Sequence, residues 1–138
     1  MSSVFTQEQI HQGRRTFHRF MAFNVIAFSV LTGNVVSVFA LKLGVSNSYI
    51  GLLQSFVHLS MAFIVLGRIA MQRMSTVGVF ALGWFLRYVF ASLLLTIPLF
   101  LSRPDGSAIA AVVLLVAMGG FHVFRGIGVA GQVPIVAS

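Results

Sequence analysis

The chain has 138 residues, of which 58% are hydrophobic and 8% charged, with a formal net charge of +7 and no cysteine. Soluble domains are nearer half apolar and about a quarter charged, so this composition leaves too little polar surface to cover a water-soluble fold. The missing cysteines exclude a disulfide framework and thiolate metal sites.

Residues 1–19 form a polar lead that carries Arg14, Arg15 and Arg19, offset only by Glu8. Its residues 1–13 read as disordered or interfacial, with Thr6 to Gln9 able to open a short helix. Four long apolar runs follow, near residues 20–41, 49–66, 77–101 and 108–130. Each is close to the roughly 20 residues that a helix needs to cross a hydrocarbon core of about 30 Å. The expected fold is therefore all-α: a polytopic membrane protein with four transmembrane helices over residues 20–138. Arg14-Arg15-Thr16-Phe17 resembles the start of a twin-arginine signal, and Val38-Phe39-Ala40 could serve as a cleavage site. The first run is long for a signal core, and the chain behind it is itself apolar, so an uncleaved first helix is the expectation.

The turns hold most of the charge. Gly44 to Ser48 is a tight turn, with Ser46 or Asn47 as the N-cap of the second span. Gly67 to Ser75 is a basic turn containing Arg68 and Arg73. Ser102-Arg-Pro-Asp-Gly-Ser107 combines Pro with Asp-Gly, a strong reversal signal. Pro98 falls near the end of the third span, where a lost backbone bond is tolerable. Counting only Lys and Arg, the lead and the second turn hold five, while the first and third turns hold Lys42 and Arg103. The positive-inside rule then puts the N-terminus in the cytoplasm of a cell membrane. Because the basic residues flank spans rather than line a soluble face, a lipid bilayer is the expected partner and nucleic acid is not.

Within the spans, ionisable residues are costly and mark function or pairing. Arg87 lies ten positions into the third span, so about 15 Å deep. It suits pairing with polar groups of neighbouring helices, contact with an anionic solute, or gating. Arg125, near the inner end of the fourth span, is expected to snorkel to the interface, with His122 one turn earlier on the same face. Asn34 and Ser37 share a face of the first span, and Gln54 and His58 share one on the second. Asn34, Ser37, Gln54, His58 and His122 together would line a polar cavity, or each would make an interhelical hydrogen bond worth about 0.6 kcal/mol. The glycines of the fourth span, at 119, 120, 126, 128 and 131, suit close helix packing. The only acids, Glu8 and Asp105, lie outside the spans, so no intramembrane carboxylate can carry a proton or cation. HExxH, paired-Asp and GxSxG patterns are all missing, so no enzyme chemistry, metal or cofactor is expected.

Three places resemble the N-terminal part of a major facilitator superfamily transporter. Gly67-Arg-Ile-Ala-Met-Gln-Arg73 falls where that family has its G-x-x-x-D-R/K-x-G-R-R/K loop, with Gly67 matching and Met71 and Gln72 departing from the pattern. Gly83-Trp-Phe-Leu-Arg87 resembles a G-x-x-x-R segment of the third helix. His122 to Ala130 resembles R-x-x-Q-G-x-G-x-A of the fourth: His122 and Arg125 replace the Arg and Gln, whereas Gly126, Gly128 and Ala130 match. The resemblance implies a twelve-helix transporter of which this chain supplies helices 1–4, a partial N-terminal bundle, with the remaining helices as its partners. The whole would move a small solute by alternating access. The alternative is a complete four-helix membrane protein acting as a subunit or scaffold.

Overall fold

The computed structural model describes residues 7–137, with the side chains of 9, 10 and 133–137 left aside. Thr6, Ser138 and the ring of Pro134 thus lie outside the described residues. The described chain is all-helical: α1 (Gln7–Thr32), α2 (Asn34–Lys42), α3 (Asn47–Leu59), α4 (Ile64–Ala70), α5 (Thr76–Ser92), a 3-10 turn (Leu93–Thr96), α6 (Ile97–Leu101) and α7 (Gly106–Ala137). Three stretches are long and apolar enough to cross a membrane: His11–Lys42, Thr76–Leu101 and Gly106–Gln132. A fourth is reached if α3 and α4, bent by 43°, count as one span. Two compact units divide within α2, at Val36.

The N-terminal unit differs from the expected lead. Instead of a loose segment with a short helix, one helix runs from Gln7 through the apolar residues to Thr32. Residues 7–19 are mostly Gln, Glu, Arg and other tolerable helix formers. Extending an existing helix adds a hydrogen bond per residue without a new nucleus. Gly33 then interrupts the path before α2, while its N–H still donates to the Ser29 carbonyl at 3.0 Å.

In the second unit the turns follow their side chains. Gly44 takes a φ of 75°, a left-handed conformation open to glycine. Ser46 is the N-cap of α3, its Oγ accepting from the Tyr49 N–H at 3.3 Å. Ser75 caps α5 through the Gly78 N–H at 3.1 Å. The 3-10 turn at residues 93–96 lies just ahead of Pro98, which has no N–H and whose ring crowds the carbonyl four residues back.

The basic turn is shorter than expected, because Gly67 and Arg68 belong to α4. Packing overrides the weak helix propensity of glycine here. A Cβ on Gly67 would stand 2.5 Å from both the Ala130 Cβ and the Ile127 carbonyl oxygen of α7. α7 is the strut of this unit, packing on α3, α4, α5, α6 and the 3-10 turn. It also lies close against α5, where a Cβ on Gly83 would lie 2.6 Å from the Gly128 backbone. At α3, the Tyr49 hydroxyl donates to the Ala111 carbonyl. The core filling this frame includes Leu53, Val79, Ile97, Leu114, Met118 and Phe121.

Gly83→Val should therefore separate α5 from α7 and destabilise the fold by about 1–3 kcal/mol. Its thermal midpoint in detergent should fall, whereas Gly51→Ala, with nothing within 4 Å of the added methyl, should leave that midpoint nearly unchanged.

Candidate functional site

The glycine contact brings α5 so near α7 that the long side chain of Arg87 is enclosed rather than extended. Arg87 is 0% exposed. Its guanidinium carbon lies 4.2 Å from the ring centre of Phe121 on α7 and 4.4 Å from that of Trp84, one turn back on α5, with Tyr88 at 5.3 Å. Ring faces carry negative quadrupole density, and out of water a cation over an aromatic face gains about 2 kcal/mol or more. Three rings thus supply the partial negative charge that no carboxylate in the spans provides.

His122 is buried beside this group, its ring set edge-on to Phe121 at 5.2 Å. Neither ring nitrogen of His122 has a hydrogen-bond partner among the described residues. One turn further along α7, Arg125 is half-buried and turns inward: Nη1 donates to the Ser60 Oγ at 3.0 Å. This replaces the expected snorkelling. Ser60 sits at the C-terminal cap of α3, and a helix C-terminus carries partial negative charge that favours a nearby cation. Among the described residues, no three His, Asp or Glu side chains converge as a metal site would require.

Of the five residues expected to share a cavity, the four in the C-terminal unit lie in two places. Gln54 Nε2 donates to Ser37 Oγ at 2.6 Å, joining α3 to α2. His58 follows Gln54 by one turn of α3, and both are exposed. His122, in contrast, is only 1% exposed and belongs with Arg87 and Arg125. Asn34 is exposed in the N-terminal unit. Arg68 and Arg73 are also exposed. Gly67, Gly83, Gly126 and Gly128 all lie at helix contacts: Gly67 and Gly83 against α7, Gly128 against Gly83 and Trp84, and Gly126 against the Ser60 carbonyl.

Sequence reasoning missed the rings and Ser60. Trp84 was within reach, because its i, i+3 spacing to Arg87 puts the two on one face. Phe121 carried no such signal, since only the α5–α7 register brings it to the guanidinium.

No protein-family model, curated protein or solved structure matches the chain.

Arg87→Ala should remove both volume and cation, costing about 2–4 kcal/mol. Arg87→Met refills most of the space without the charge and should recover part of that loss. Heat unfolding in detergent measures both, and the single tryptophan, Trp84, should change its emission in either variant.

Proposed function

We propose that this chain is a multi-pass protein of the cell membrane, N-terminus cytoplasmic, that forms part of a secondary transporter for a small solute. One observation carries the reading: the exposed polar row of Gln54 and His58 on α3, joined by Ser37, on a largely apolar bent segment. Facing hydrocarbon, each such group costs free energy, so polar side chains at membrane depth turn toward protein or a water-filled path. A row along one helix suits a path better than a single interhelical bond does. The bend between α3 and α4 adds support, because interrupted helices are a recurrent element of transporter binding sites. The motif resemblances of residues 67–73, 83–87 and 122–130 agree with a major facilitator transporter, whose other helices would complete the path. In that arrangement Arg87, held by its rings, keeps α5 and α7 as one body, and alternating access moves such bodies against each other. The competing reading is a scaffold or subunit in which other helices cover the same row.

This chain has no cysteine, so Gln54→Cys or His58→Cys introduces its sole thiol, and any cysteine in the remaining helices is replaced by Ser for the assay. In the full protein in its membrane, a charged, impermeant thiosulfonate reagent should label both at least about tenfold faster than Leu95→Cys, whose parent residue is 80% exposed and apolar. Equal and negligible labelling at all three positions would remove the water path and favour the scaffold.

A further inference from the structure

We propose that the N-terminal end of α1 is a binding site for anionic phospholipid headgroups, a proposal that rests on the membrane reading above. On a helix, successive residues turn by 100°, so His11, Arg14, Arg15 and His18 fall on one face, with Arg19 at its edge. All five are exposed. Phe17 and Phe20 occupy the opposite face, half-buried, with ring centres 6.4 Å apart. This stretch is therefore basic on one side and aromatic on the other, the division found in segments that sit at a bilayer surface. The one nearby acid, Glu8, lies one turn beyond the outer end of the row.

Helix continuity fixes the depth. α1 runs unbroken from Gln7 to Thr32. Three arginines within six residues do not enter hydrocarbon, so the apolar boundary falls near Phe20. From Arg19 to His11 the helix rises about 12 Å. The headgroup layer on each side of a bilayer is about 5–8 Å thick. Arg19, Arg15 and Arg14 thus stand at successive levels within that layer, where lipid phosphates lie. A guanidinium fork matches the oxygens of a phosphate two at a time. The neighbouring arginines 14 and 15, with Arg19 one turn inward, can engage more than one headgroup, and the extra charge of an anionic lipid is what distinguishes it from a zwitterionic one. Each basic residue near an anionic surface contributes enough to multiply binding several-fold.

The test uses the whole chain in mixed micelles with phosphatidylglycerol or phosphatidylcholine as the probe, bound lipid being counted by native mass spectrometry. The wild type should retain phosphatidylglycerol at least about tenfold over phosphatidylcholine. A triple Arg14→Gln, Arg15→Gln, Arg19→Gln variant should lose that preference, and the corresponding triple Lys variant should keep most of it. An unchanged preference in the Gln variant, or none in the wild type, overturns the proposal. Full competition by equimolar soluble glycerol phosphate overturns the lipid assignment and indicates a phosphate-ester site. Carbonate extraction of the same proteins separates the two readings: wild type released from vesicles refutes membrane insertion itself, whereas retained protein without lipid preference refutes only the headgroup site.

Discussion

The approach of α5 to α7 at Gly83 and Gly128 is the constraint on which the C-terminal unit depends. Two side-chain-free positions face each other, so the backbones come closer than any Cβ would permit. Close van der Waals packing between the two backbones carries the pairing. Gly67 and Gly126 extend the same principle to α4 and to the end of α3, and α7 becomes the element that every neighbour shares.

That proximity also decides what happens to the cations. Arg87 has no route outward, so it is held by rings from both helices. The pairing reverses the usual relation between packing and charge. Here the aromatic core does not merely tolerate a guanidinium but surrounds it, and rings that fill space also supply the electrostatics. Arg125 meets a different solution, a hydroxyl at the negative end of a helix. Both solutions avoid carboxylates, which suits a sequence whose two acids lie in turn or terminal segments.

The apolar runs made the helical character legible, since length and hydropathy alone identify such segments. Ser46 and the Arg-Pro-Asp-Gly turn were legible too, because their chemistry is local. The break at residues 60–63 was not: Ser, Met, Ala and Phe contain no helix breaker, and the bend lies where the Ser60 carbonyl comes so near Gly126 of α7 that a Cβ there would not fit. Nor was the fate of Arg125 legible, since snorkelling and docking onto Ser60 begin from the same sequence position. The helical state of Gly67 and Arg68 likewise depends on Ala130 and Ile127, more than fifty residues away. What escaped the sequence was in each case a contact between helices, whereas what it revealed was a property of one segment.

The bend itself has a mechanical consequence. The amides of Met61, Ala62, Phe63, Ile64 and Val65 each donate to the carbonyl three residues back, at 3.0–3.3 Å. No amide in that run is stranded, so the kink needs no water to satisfy it. Straightening it would let each amide exchange its carbonyl for the one before, bond for bond. The joint between α3 and α4 is thus soft in bending yet keeps every amide donor of the run bonded within the chain, a property that an ordinary proline kink, with its missing donor, does not have.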